Sequence, residues 1–194
     1  MNNDELDFRE IYDNFQPRIL RYLTRLVGKN AAEDLTQHVF LKVSQALKTF
    51  RGESKLSTWI YRIATNAALD KLRSPSFQRI AQEKALDDSI AISQTVNVET
   101  SLIRKEMNEC IRSFVENLPT NYRTVIVLSE LEGLKNTEIA EILCITLGTV
   151  KTRLHRARKK LKKELETHCN FYRDERNELA CDLKSAFEGF RKVY

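Results

Sequence analysis

Glycine and proline are scarce in this chain of 194 residues, which has only 5 glycines and 3 prolines. An all-β fold needs many tight turns, and those turns depend on these two residue types. No apolar run approaches the roughly 18 residues that a membrane-spanning helix requires. The amino terminus, MNNDELDFRE, is acidic and lacks the basic-then-apolar order of a secretory signal. We therefore expect a helical protein that stays in the cytoplasm without membrane insertion.

Cysteine and histidine are too few to build an obvious metal site. The cysteines are Cys110, Cys144, Cys169 and Cys181. In a cytosolic chain, cysteines are more often thiols or metal ligands than parts of disulfides. His168, Cys169 and Cys181 are weak candidates for zinc, because a closed site needs four ligands. We expect no metal and no other cofactor, and a thiol or zinc sensor in this tail stays open as an additional role.

Catalytic signatures are missing as well. The sequence has no Walker-type phosphate loop, no HExxH zinc motif and no carboxylates clustered at catalytic spacing. The scattered acids have bases nearby, as on an ordinary helix surface. We therefore predict that the chain is not an enzyme, which disfavours a DNA-modifying activity.

Positive charge is concentrated in one place. The net charge is +5, and residues 151–163 contain eight lysines and arginines with no acid among them. Such a local stripe on an otherwise balanced protein is typical of nucleic-acid binding. A solvated helix face is the alternative, and composition alone leaves the two interpretations about even.

Apolar residues recur at three- and four-residue steps in two separate stretches, which predicts an all-α fold of two small helical domains. The first domain covers residues 5–74, and Pro17 is expected to bend or split its first helix. Residues 75–100 are polar and predict a flexible linker. The second domain covers residues 101–165. Residues 166–194 form a carboxyl-terminal extension, in which a helical stripe is predicted from Leu179, Leu183, Phe187, Phe190 and Tyr194.

The second domain contains the spacing of a helix-turn-helix. Small Ala140 allows two helices to approach, Thr146 can cap the second helix, and an apolar inner stripe runs along it. Cys144 stands at the turn where glycine is common, so we expect some left-handed strain there. Asn136 is expected to cap the first helix of the motif.

The outward face of the second helix carries hydrogen-bonding and cationic side chains. Its amino-terminal half could enter a major groove, where arginine or lysine donates to guanine and threonine meets a thymine methyl or an adenine edge. Contacts with phosphates would make the binding salt-sensitive. The residues predicted to read duplex DNA are Thr149, Lys151, Thr152, His155, Arg156, Arg158 and Lys159.

Two blocks of sequence, in this order, resemble the extracytoplasmic-function sigma factors, the smallest members of the main bacterial sigma family. The first block comprises AEDLTQHVFLKV at residues 32–43, FRGES at 50–54 and TWIYRIATN at 58–66. The second comprises LPTNYR at residues 118–123, ELEGL at 130–134 and GTVKTRLHRAR at 148–158. The resemblance covers roughly residues 5–165.

This resemblance implies that the chain binds core RNA polymerase and promoter DNA. The first domain would bind the polymerase through Asp34, Leu35, Gln37 and Phe40. It would read the single-stranded −10 element through Arg51, Glu53, Ser54, Lys55, Leu56, Arg62, Thr65 and Asn66. The helix-turn-helix would read the duplex −35 element, and an anti-sigma factor is a further implied partner.

A stand-alone helix-turn-helix regulator is the principal alternative function. It would account for the second domain, but it leaves the first block of sequence unexplained. A sigma factor, by contrast, uses both blocks, because polymerase binding and promoter reading are divided between them.

Overall fold

Three helices form the first domain of the computed structural model, which describes residues 7–79, 111–173 and 179–183. Helix α1 spans Phe8–Val27, α2 spans Lys29–Leu47 and α3 spans Leu56–Arg73. Asp7 caps α1, because its carboxylate accepts a hydrogen bond from the Arg9 backbone N–H at 2.9 Å. The three helices pack against one another around a common apolar core.

Pro17 lies inside α1 and does not split it, so of the two predicted outcomes, a bend or a split, the split is wrong. A proline removes one backbone donor, and here its ring is on an exposed side of the helix while Ile19, Tyr22 and Leu23 are fully buried. Burial of that stripe keeps the helix continuous. A single residue, Gly28, then turns the chain from α1 into α2.

The second domain is also helical. Residues 111–116 are helical, α4 spans Thr120–Ile126, and a π-helical turn continues it over Val127–Leu131. Helix α5 spans Asn136–Leu143 and α6 spans Leu147–His168. The prediction of two all-helical domains is confirmed. Residues 75–79 are helical, and 80–110 lie outside the described residues, so the predicted bounds of the linker and of the second domain's start stay predictions.

The carboxyl-terminal extension begins as a β-hairpin. Strand β1 spans Cys169–Arg173 and pairs antiparallel with β2, which spans Leu179–Leu183. The predicted helical stripe is therefore wrong over 179–183, because strand pairing satisfies this backbone whatever the spacing of its apolar residues. Its remaining members, Phe187, Phe190 and Tyr194, lie outside the described residues.

The two helical domains pack against each other. Helix α3 contacts α5, and the π-helical turn contacts α1. The buried apolar residues of both domains form one continuous cluster. Among the helices that the structure describes, none is long and apolar enough to cross a bilayer.

Candidate nucleic-acid interface

Helices α5 and α6 form the predicted helix-turn-helix. Cys144 ends α5 in the left-handed conformation, with φ 51° and ψ 45°, which confirms the strain expected at this turn. Thr146 caps α6, since its hydroxyl oxygen accepts the Thr149 backbone N–H at 3.2 Å. Val150, Leu154 and Ala157 are buried on the inner side of α6. The opposite side is therefore left to solvent.

The start of α5 differs from the prediction. Lys135, not Asn136, occupies the cap position, and Asn136 is the first helical residue. The Glu138 carboxylate, one helical turn further along α5, accepts a hydrogen bond from the Lys135 backbone N–H at 2.9 Å.

The predicted DNA-reading face of α6 is open to solvent. Thr149 is half-buried next to Thr146, which caps α6. The Thr152 hydroxyl donates to the Gly148 carbonyl at 2.9 Å. The exposed members of this face are Lys151, Thr152, His155, Arg156, Arg158 and Lys159. Their projection from one rigid helix suits insertion into a groove.

Most of the cations of α6 have no acidic partner in the described part of the chain. Arg158 is the exception on the predicted face, because its guanidinium donates to Glu130 at 2.6 Å and 3.2 Å. This pairing lowers the pKa of Glu130. Lys151, Arg156 and Lys159 form no ion pair with a described residue. These cations are therefore available to neutralise phosphates.

The predicted polymerase-binding side chains lie on α2, but not all of them at its surface. Asp34 and Gln37 are exposed and Leu35 is half-buried. Phe40 is only 2% exposed and lies under the Tyr12 ring, with the ring centroids 4.9 Å apart. A direct contact through Phe40 is thus blocked in this arrangement, and the adjacent apolar surface comes instead from Tyr12 and from Leu41, which is 55% exposed.

The predicted −10 residues lie in the α2–α3 connection and on α3. Arg51, Glu53, Lys55 and Asn66 are exposed, whereas Ser54, Leu56 and Arg62 are half-buried. Thr65 is fully buried. Its hydroxyl donates to the Tyr61 carbonyl at 2.6 Å and lies 2.7 Å from the Tyr22 hydroxyl. It therefore meets no base in this arrangement.

Trp59 lies beside the same loop and packs against Phe50, with ring centroids 5.0 Å apart. Both rings are half-buried, and Trp59 packs against the core. The pair fixes the carboxyl-terminal side of α2 against the start of α3. The exposed loop at residues 51–53 is thereby anchored at both ends.

A carboxylate that the sequence did not reveal joins the two domains. Glu132 follows the π-helical turn, and its two oxygens bind Arg25 Nη1 at 2.6 Å and the Tyr61 hydroxyl at 2.7 Å. Burial and this hydrogen bond both raise the pKa of Tyr61 above its usual range. Glu132 belongs to the ELEGL block, but no local pattern indicates its partner Arg25, which lies 107 positions away.

Two further polar contacts join α5 to Lys55, the residue before α3, and to α3 itself. Lys55 Nζ lies 2.7 Å from Glu138 Oε1, and Arg62 Nε donates to the Glu141 carbonyl at 3.0 Å. The hydrogen bond between Lys55 and Glu138 raises the pKa of the lysine and lowers that of the acid. Two of the predicted −10 cations are therefore held by the second domain.

The three weak metal candidates lie where α6 joins the hairpin. His168 stacks on Phe114 with ring centroids 5.6 Å apart, Cys169 is buried, and Cys181 is the strand partner of Phe171. Across residues 7–79, 111–173 and 179–183, no three His, Cys, Asp or Glu side chains form a group that could hold a metal ion.

Known proteins match both domains. The family described as "Sigma-70 region 2" matches residues 11–77, and "Sigma-70, region 4" matches residues 108–161. The ECF RNA polymerase sigma factor SigW of Bacillus subtilis is 36% identical over 169 residues, covering 84% of this chain and 90% of that protein. The ECF RNA polymerase sigma-E factor of Haemophilus influenzae is 33% identical over 169 residues, covering 84% and 89%.

Two solved structures share the fold. The sigma factor RpoE, in complex with the anti-sigma factor NepR from Bartonella quintana, superposes with a TM-score of 0.61 at 22% identity, covering 82% of this chain and 97% of that one. CnrH, in complex with the cytosolic domain of CnrY, gives a TM-score of 0.60 at 20% identity, covering 85% and 91%. These likenesses support the arrangement of helices described above.

Proposed function

This chain belongs to the extracytoplasmic-function sigma factors of the sigma-70 family, and from that premise we propose how its two domains share the work of starting transcription. It is a sigma factor that directs RNA polymerase to promoters. Matches to region 2 and to region 4 in one chain exclude the stand-alone regulator, which needs only the second domain.

The second domain reads the −35 element as duplex. The observation that carries this assignment is the exposed cationic face of α6, most of whose charges have no acidic partner among the described residues. Lys151, Thr152, His155 and Arg156 meet base edges or the nearby backbone, and Thr149 supports them at the amino-terminal end. Arg158 and Lys159 hold phosphates, and Arg158 exchanges Glu130 for DNA.

The first domain binds core polymerase and captures the melted −10 element. Asp34, Leu35 and Gln37 form the polymerase contact together with exposed Leu41, while Phe40 supports this face from beneath. An extruded base enters the loop at residues 51–56, and Arg62 and Asn66 bind the adjoining strand. Tighter binding to separated strands than to the closed duplex drives melting.

The protein acts without catalytic residues or a cofactor, and it works in the cytoplasm, where it meets polymerase and DNA. An anti-sigma partner is part of the same proposal. Two proteins with this fold, the sigma factor RpoE and CnrH, were solved with a protein partner, and the partner of RpoE is named an anti-sigma factor. A partner covering the polymerase-binding face would keep the chain inactive.

Transcription started in vitro with core polymerase tests the assignment. We expect Arg156→Ala to weaken promoter binding about tenfold and to relax sequence preference, because one base-reading contact is worth about 1–3 kcal/mol. Lys163→Ala is the matched control on the same helix, expected to weaken binding to all duplexes alike. Core-polymerase binding, measured by co-elution, should stay unchanged in both variants. Equal loss of polymerase binding and promoter binding in Arg156→Ala would contradict the division between domains.

A further inference from the structure

The hairpin of the carboxyl-terminal extension places two cysteines on one face. Successive side chains of a strand point to opposite faces, so Cys169 shares its face with Phe171. Phe171 is the register partner of Cys181, and directly paired residues point to the same side of a sheet. Cys169 and Cys181 are therefore diagonal neighbours across the two strands. Both are in the thiol form.

The twist of the hairpin decides whether these two sulfurs can meet. Diagonal neighbours in a flat ladder are about 7–8 Å apart, whereas the Cα atoms of a disulfide are about 4.4–6.8 Å apart. Two-stranded ribbons twist more strongly than larger sheets, and always in the right-handed sense. That twist shortens the diagonal from a residue of the first strand to the partner of the residue two positions further on, which is the diagonal from Cys169 to Cys181. A disulfide can therefore close here while the strand register is kept.

The two cysteines differ in their access to solvent. Cys181 is half-buried, whereas Cys169 is 3% exposed. A low-molecular-weight disulfide in solution therefore reaches Cys181 first. The Cys181 thiolate attacks one sulfur of that molecule, a small thiolate leaves, and a mixed disulfide forms. The Cys169 thiolate then attacks the Cys181 sulfur and displaces the second small thiolate. Two protons and two electrons thus pass from the protein to the small disulfide, which is reduced to two thiols.

Cys169 is also the residue at which helix α6 ends. Its backbone N–H donates to the Leu165 carbonyl, and the preceding His168 stacks on Phe114 with the ring planes 17° apart. A disulfide to Cys181 would fasten β2 to that helix end. Because a two-stranded hairpin is by itself marginally stable in water, the covalent link would preserve a strand pairing that otherwise opens.

We propose that Cys169 and Cys181 are a reversible redox pair, which a low-molecular-weight disulfide oxidises to an intramolecular disulfide. In the thiol form β2 can separate from β1, and in the disulfide form the hairpin stays closed on the end of α6. Disulfides in the cytosol are mostly transient and redox-sensing, and a bond that depends on the twist of a hairpin belongs to the strained, easily reduced kind. The pair lies outside the face assigned to the −35 element, so the two assignments can fail separately.

The test equilibrates the full-length protein with glutathione buffers of increasing disulfide content, blocks the remaining thiols and identifies linked peptides by mass spectrometry. We expect a disulfide between Cys169 and Cys181 to form as the buffer becomes more oxidising and to disappear in dithiothreitol. In Cys169→Ala, the reaction of Cys181 should stop at the mixed disulfide with glutathione. Cys144→Ser is the matched control, because it removes an exposed cysteine from the helix-turn-helix and should leave oxidation of the pair unchanged.

Hydrogen exchange gives the structural readout. Backbone amides of residues 179–183 should exchange about tenfold more slowly in the disulfide form than in the thiol form, because the link removes open states of the hairpin. Cys181→Ser should keep the thiol-form rate in every buffer, so the test survives if Cys169→Ala does not fold. Absence of the Cys169–Cys181 peptide from oxidising buffers, or equal linkage of either residue to Cys110 or Cys144, would overturn the redox pair. Equal exchange rates in the two forms would overturn the closure of the hairpin.

Discussion

The Thr65 hydroxyl has a single proton, and its hydrogen bond to the Tyr61 carbonyl at 2.6 Å uses it. The 2.7 Å contact with Tyr22 must then be donated by the tyrosine. Both side chains are fully buried. A position that the family pattern assigns to −10 reading thus supports α3 from inside in this structure.

Substitutions of Thr65 and of Tyr22 should lower the free energy of unfolding by unequal amounts. Thr65→Val leaves the buried Tyr22 hydroxyl without an acceptor, so we expect a loss of about 2 kcal/mol in the free energy of unfolding. Tyr22→Phe removes the donor and leaves the Thr65 bond to Tyr61 intact, so its cost should be about 1 kcal/mol. Urea titration measures both. A larger loss in Tyr22→Phe would contradict the assignment of the donor.

Alkaline pH should lower the free energy of unfolding through ionisation of Tyr22. Burial raises the pKa of Tyr22 above its ordinary value of 10.0, so the folded state keeps a proton that the unfolded state releases. Stability is therefore complete below pH 10 and falls above it, by about 1 kcal/mol between pH 10 and pH 11 for this group. Tyr22→Phe should reduce that slope in urea titrations, and a slope equal to that of the wild type would contradict the role of Tyr22.

At the scale of an element, the α1–α2 corner depends on one glycine. Gly28 has φ 81° and ψ 163°, a backbone conformation that is essentially restricted to glycine. Its N–H also closes α1 by donating to the Thr24 carbonyl at 3.0 Å. One residue therefore joins two long helices, and its backbone conformation would be strained in any residue other than glycine.

Gly28→Ala should destabilise the protein by about 2 kcal/mol, equivalent to roughly 6 °C in Tm. Open space surrounds the position, so the cost comes from the backbone and not from a clash. Gly148→Ala is the matched control, since a Cβ there meets Thr146 Oγ1 at an ordinary 3.9 Å and α6 gains a better helix former. Thermal unfolding distinguishes the two variants, and similar Tm values for Gly28→Ala and Gly148→Ala would contradict a backbone origin of the cost.

Local signals explain which elements were predictable from sequence. The Thr146 cap and the buried stripe through Val150 and Leu154 depend on neighbours within a turn or two, and both are observed. The tail hairpin was missed, because apolar residues four apart suit a helix until a strand partner is known. Phe40 was misplaced at the surface for a similar reason, since the ring that covers it belongs to another helix.

For the molecule as a whole, the interface between domains was the least predictable feature. Glu132 and Arg25 are 107 positions apart, and Lys55 and Glu138 are 83 apart. Charged residues of these types occur throughout the chain, so composition does not single out the pairs. The sequence could therefore suggest surfaces for each domain, which stay predictions, but it could not indicate the contacts between the domains.

Unfolding should reveal whether the domains behave as one unit. Trp59 is the chain's single tryptophan and reports on the first domain, whereas circular dichroism reports on helices of both. In wild type we expect the two probes to give the same urea midpoint, because a continuous core and the Glu132 contacts couple the domains. In Glu132→Gln the midpoints should separate. Separate midpoints in wild type would contradict the coupling.

The π-helical turn at Val127–Leu131 contains one residue more than an α-helical turn would need, and Glu132 follows directly after it. Loss of a single codon there would restore regular winding and rotate the following carboxylate by about 100° around the helix axis. Arg25 and Tyr61 would lose their partner, while every side chain assigned to DNA or polymerase would remain. The contact between the two domains thus depends on how a single helical turn is wound.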